Sequence, residues 1–126
     1  MTLGDRRRAY RRGRWSEALC RLVLVLKGYR IVTAGYRVQV GEIDIVARRG
    51  RTLAIVEVKA RRTFEDAAAS ILPRQQRRIA RAAAAFLVQH PSLAGLLLRF
   101  DVMLVRPWRM PCHVMNAWRL DARDTF

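Results

Sequence analysis

The chain has 126 residues, of which 25 are Lys or Arg and 10 are Asp or Glu, giving a net charge of +15. A hydrophobic fraction of 52% excludes a disordered tail, and the length suits a single domain, residues 1–126, around one core. No uncharged apolar run approaches the roughly 20 residues that a membrane span needs, so the partner expected for so much positive charge is nucleic acid rather than a membrane.

In chain order, residues 1–12 read as a flexible basic N-terminal segment. Arginines precede apolar residues there as in a secretion signal, but Glu17 and Arg21 interrupt the apolar region. The expectation is a cytoplasmic protein. Residues 6–27 carry Ala18, Leu19, Leu22, Val23 and Leu26 at helical spacing, and Gly28 ends the run. Residues 29–40 hold Ile31, Val32, Tyr36 and Val38 and predict a first strand. Residues 43–47 and 53–58 predict two more strands, joined through Arg48-Arg49-Gly50-Arg51 as a hairpin.

Pro73 suits the first turn of a helix over 73–89. Its inner stripe is Ile79, Ala83, Phe86 and Leu87, and its outer stripe is Arg74, Arg77, Arg78 and Arg81. A strand over 100–105 follows, then a candidate strand over 113–118. The order is helix, three strands, helix, one or two strands. That is an α/β fold with a central mixed sheet flanked by helices, antiparallel at its start. Cys20 and Cys112 fit no metal spacing and read as reduced core residues, and His90 and His113 read as isolated. The default for Trp15, Trp108 and Trp118 is core packing, with stacking on bases as the functional alternative.

The hairpin carries the chemistry. "GEIDIVARRGRTLAIVEVKARR" (41–62) places Glu42, Asp44 and Glu57 within apolar strands, in a chain short of acids. Alternation puts Ile43 and Ile45 on one face, Glu42 and Asp44 on the other, and Ile55, Glu57 and Lys59 together on the partner strand. A turn near Gly50 sets Asp44 across from residues 55–56, with Glu57 a direct or diagonal neighbour. Two close carboxylates repel unless a cation lies between them. All-oxygen ligation suits Mg²⁺, or Mn²⁺, which keeps several waters. Only two of the 25 basic residues are lysines, and Lys59, unlike an arginine, can take part in proton transfer. The alternative is a plain face of cross-strand ion pairs.

Five pieces of the chain, "GRWSEALCRLVLVLKGYRIV" (13–32), "GEIDIVARRG" (41–50), "VEVKARR" (56–62), "LPRQQRRIARAAAAFL" (72–87) and "RFDV" (99–102), together resemble a bacterial family. It is the YraN-like endonuclease-fold family, within the restriction-endonuclease-like PD-(D/E)XK nuclease superfamily. The resemblance implies a core of helix, three strands, helix and strand. It implies Asp44, Glu57 and the Val58 carbonyl as metal ligands, Lys59 as the catalytic lysine, and Glu17 as an acid on the first helix serving a second metal or a water. For Glu17 the plain alternative is an i,i+4 pair with Arg21. Glu42 shares the active face as a supporting residue, and Asp101 is a structural partner of Arg99. Residue 43 is Ile where the superfamily label has proline, and Gln75 stands where related helices often carry lysine.

Arg74, Arg77, Arg78 and Arg81 on the helix, with Arg61 and Arg62 after Lys59, would grip phosphates without reading bases. The expected function is a Mg²⁺-dependent endonuclease acting on DNA, branched or single-stranded, in repair or recombination. A resolvase role would imply a homodimer, because two strands must be cut. The alternative is a non-catalytic nucleic-acid-binding module partnering a helicase or recombination protein.

Overall fold

The computed structural model describes residues 3–119, with side chains described over 15–119. The side chains of the basic segment 1–12 lie outside the described residues. Helix α1 (Leu3–Leu26) is followed by strands β1 (Arg30–Val38), β2 (Gly41–Arg49) and β3 (Thr52–Ala60). Helices α2 (Phe64–Ser70) and α3 (Pro73–Gln89) and a 3₁₀ turn (Pro91–Leu93) lead to β4 (Leu97–Val105) and β5 (Cys112–Trp118). The α/β class and the mixed sheet expected from the sequence are both present. The short helix α2 was not expected. Its N-cap is Thr63, whose hydroxyl accepts the Asp66 N–H at 3.1 Å. Among the described residues no helix is long and apolar enough to cross a membrane.

The sheet order is β1-β2-β3-β4-β5, antiparallel throughout except for the parallel β3–β4 pair. A parallel pair needs a crossover rather than a turn, and α2 and α3 supply it. Gly50, at φ +59°, opens the two-residue loop between Arg49 and Thr52, as a two-residue hairpin with glycine first requires. One face of the sheet packs Ile43, Val46, Ile55, Phe100 and Val102 against Ile79, Ala83 and Phe86 of α3. The other packs Ile45, Ala47, Ala54, Val56 and Met103 against Cys20 and Leu24 of α1. With both faces covered, Leu53 to Val56 in β3 are all buried, which is why that strand reads as an unbroken apolar run. Phe86 is 1% exposed, and burying such a side chain contributes about 1.5–3 kcal/mol.

The fully buried acid is Asp101, on the strand beside the hairpin and in register with Val56, with no exposed surface. Arg99 donates to it through Nε and Nη2, each at 2.8 Å; His113 Nε2 donates at 2.8 Å and the Asn116 N–H at 2.9 Å. Lys27 Nζ contacts His113 Nδ1, so the imidazole accepts from lysine on one side and donates to the carboxylate on the other. His113 is therefore not the isolated residue expected from the sequence. Three further expectations are corrected. Cys20 is buried but Cys112 is exposed. Trp118 stacks on Phe100 at 4.1 Å, whereas Trp15 and Trp108 are exposed and pack into no core. Ile43 and Ile45 pack on opposite sides of the sheet, because the regular alternation of β2 is broken between them.

Candidate functional site

That break in β2 makes the site. The β2–β3 ladder runs from Arg49↔Thr52 to Ile45↔Val56 and stops. Its register, continued by one step, sets Asp44 against Glu57 rather than against residues 55–56. Beyond Val56 the strands part, and the Asp44 side chain fills the gap: its Oδ2 accepts the Val58 N–H at 2.8 Å. A ladder amide lies in the plane of the sheet, so this carboxylate lies there too, between β2 and β3. The N–H and C=O of one strand residue leave the chain on the same side. The Val58 carbonyl therefore faces the same gap.

Glu57 follows the buried run of β3 and points to the α3 side. Gln75 Nε2 donates to its Oε1 at 3.2 Å, and Lys59 Nζ lies 3.5 Å from the same oxygen. Glu57 and Lys59 side chains are only 12% and 14% exposed. Pro73 at the first turn of α3 starts the helix in time for Gln75 to reach the sheet. Asp44, Glu57, Lys59 and Gln75, four of the residues singled out in the sequence, are thus brought together.

Electrostatics mark the pair. Burial first, and then the Glu17 and Glu42 charges, push the Asp44 carboxyl up to about 6 despite the Val58 N–H and Lys59. Burial and then the Asp44 charge push Glu57 up to about 8, with Lys59 opposing. The protein supplies less positive charge than the two acids need. One oxygen of each acid is held by a protein donor; the other, Asp44 Oδ1 and Glu57 Oε2, has no hydrogen-bond partner among the described residues. Two oxygens without a protein donor and the Val58 carbonyl fit a hard divalent ion that keeps most of its waters. Among the described residues no three His, Cys, Asp or Glu side chains form a cage of their own, so water would have to complete the shell.

The other expected residues lie around this centre. Glu17, on α1, is half-buried and close enough to raise Asp44. Glu42 is exposed and pairs with Arg37 at 3.0 Å across the β1–β2 ladder. A groove of about 330 Å³ is lined by Glu42, Glu57, Gln75, Arg74 and Arg78. Arg74 and Arg78 also line a second groove of about 410 Å³ with Arg77 and Arg81, so the arginine stripe runs directly into the acids. Arg61 and Arg62 are exposed beyond Lys59. Asp101 belongs to the separate network described above, paired with Arg99.

Gly41 was not singled out from the sequence. A Cβ there would lie 2.4 Å from the Arg78 carbonyl oxygen. Only glycine lets β2 lie against α3 and bring Glu42 beside Arg78. A glycine within an apolar strand is the available signal of such an approach.

The profile of the uncharacterised protein family UPF0102 matches residues 16–105, a span that holds every residue of this centre. A UPF0102 protein of Parvibaculum lavamentivorans is 55% identical over 111 residues, covering 88% of this chain and 84% of the relative. One from Methylocella silvestris is 52% identical over 117 residues, covering 93% and 94%. A third, from Paramagnetospirillum magneticum, is 50% identical and covers 90% and 91%. The chain belongs to this family, the bacterial family to which its motifs point.

Proposed function

We propose that this UPF0102 protein is a metal-dependent endonuclease with a restriction-endonuclease-like core, hydrolysing phosphodiester bonds in DNA. The observation that carries the reading is the early end of the β2–β3 ladder. It gathers Asp44, Glu57, Lys59 and Gln75 at the mouth of an arginine-lined groove. When bound, a Mg²⁺ or Mn²⁺ ion neutralises the scissile phosphate and makes water a better nucleophile.

The chain's own residues do the rest. Arg74, Arg77, Arg78 and Arg81 hold the phosphates of the strand. The Val58 N–H fixes Asp44 in the gap, and Gln75 fixes Glu57 on its α3 side, so both acids are held before substrate arrives. Lys59 is placed to take the proton from water or to stabilise charge on the phosphoryl oxygens as the ester bond breaks. Glu17 approaches the same centre from α1, where it can orient water.

The test is cleavage of single-stranded, duplex, flap, fork and four-way-junction DNA with Mg²⁺, Mn²⁺ or EDTA. Metal-dependent cutting by the wild type, lost in Asp44→Ala and Lys59→Ala, is the expected result. The preferred substrate would assign the protein to repair or to recombination, and a four-way-junction preference would call for a homodimer. A second reading, a binding module that assists a helicase or recombination protein, is favoured by Gln75 alone, which brings no charge to the site. It predicts tight binding in EDTA and no cutting with any metal.

A further inference from the structure

Two indoles stand in the open. Trp108 is 102% exposed and Trp15 77%. Both line one open, largely apolar groove of about 980 Å³, with Leu19, Ala60, Val105 and Arg106 along its walls. A tryptophan left in water gains nothing from folding, so two on one groove need another reason. Trp108 also holds φ at +60°, a conformation that bulky residues rarely adopt and that collects at ligand clamps. Pro107 and Pro111 bracket it, each with a fixed φ, so a stiff loop presents the ring.

The groove borders the strand that carries the proposed site, on the α1 side of the sheet. Ala60, on its wall, directly follows Lys59, about 3.8 Å along the chain. Its surroundings are cationic. Arg61 and Arg62 follow Ala60, and Arg109 follows Trp108, all of them exposed. Arg106 forms part of the wall, and its buried Nε has no hydrogen-bond partner among the described residues. Flat aromatic faces beside arginines suit a ligand with π-faces and phosphates. An apolar helix or a lipid tail would make no use of the arginines.

We propose that this groove takes unpaired bases of a single-stranded or splayed nucleic acid, stacked on Trp15 and Trp108, with the adjoining phosphates on Arg61, Arg62 and Arg106. The inference rests on the nucleic-acid reading above and narrows its substrate. A fully paired duplex offers no free base face to the groove, whereas a single strand, flap or fork does.

The experiment is fluorescence anisotropy of a labelled oligothymidine and of a duplex of equal length, at one fixed salt concentration and in EDTA, so that cleavage does not intrude. Trp15→Ala and Trp108→Ala should each weaken single-strand binding about 5- to 150-fold, the loss of roughly one stacked base. Duplex binding should be unchanged, and Trp108→Phe should restore most of the single-strand affinity. Equal losses on both ligands overturn the proposal. Unchanged single-strand binding in both variants also overturns it, and assigns the groove to a protein or lipid occupant. A wild type that binds neither ligand overturns the nucleic-acid reading itself, which separates the two failures.

Discussion

Two clusters of buried acid differ in how completely the protein satisfies them. Asp101 receives hydrogen bonds from Arg99, His113 and the Asn116 N–H. Burial alone would push its carboxyl up, yet those donors together hold it below the usual range. Asp44 and Glu57 are half-buried, share one lysine between them and are pushed up to about 6 and about 8. A carboxylate whose donors are all supplied by the fold holds the fold together. A pair left short of positive charge is poised to receive it from outside.

The comparison is easiest to break at Asp101. Asp101→Ala should cost about 3–5 kcal/mol of stability, because it strands Arg99 and His113 around an emptied site. Denaturant titration would show it, and a loss below 1 kcal/mol would remove the contrast. Next is Gly41→Ala, which forces β2 away from the Arg78 carbonyl. It should cost about 1–3 kcal/mol and lower cleavage as well as the melting temperature.

The acid pair should respond with the opposite sign. Folded Asp44 and Glu57 bind protons more tightly than the unfolded chain does. Their contribution to stability is therefore greatest below the unfolded carboxylate range and is lost as pH rises to about 8. Asp101 works the other way, contributing at neutral pH and failing as pH falls through the acid range. Difference curves against Glu57→Gln and Asp101→Asn should slope in opposite directions. Without metal, Glu57→Gln should gain on the order of 1 kcal/mol above pH 8, and thermal melts across pH would reveal it. An effect of similar size is the rise in melting temperature with Mg²⁺. An ion at ten times its dissociation constant stabilises by about 1.4 kcal/mol, and Asp44→Asn should abolish that gain.

The hairpin was legible in the amino acids because turn chemistry and strand alternation act over a few residues. That sufficed to bring Asp44 near Glu57, and Pro73 with its apolar stripe gave α3 its bounds. The register came out one residue away, since nothing local says that the ladder ends at Val56 or that Ile43 and Ile45 part company. The Lys27–His113–Asp101 chain was not legible, because it joins the end of a helix to two strands more than seventy residues later. The exposure of Trp15 and Trp108 was missed for the opposite reason: composition favours burial, and only the loop's backbone turns Trp108 outward.

The Asp44–Val58 contact also makes a spectroscopic handle. Most amides of a sheet bond to a neighbouring carbonyl, which does not titrate. The Val58 amide bonds instead to a side chain that gains and loses a proton near neutral pH. Its ¹⁵N–¹H resonance thus carries the charge state of the site in a single peak, readable without substrate or turnover.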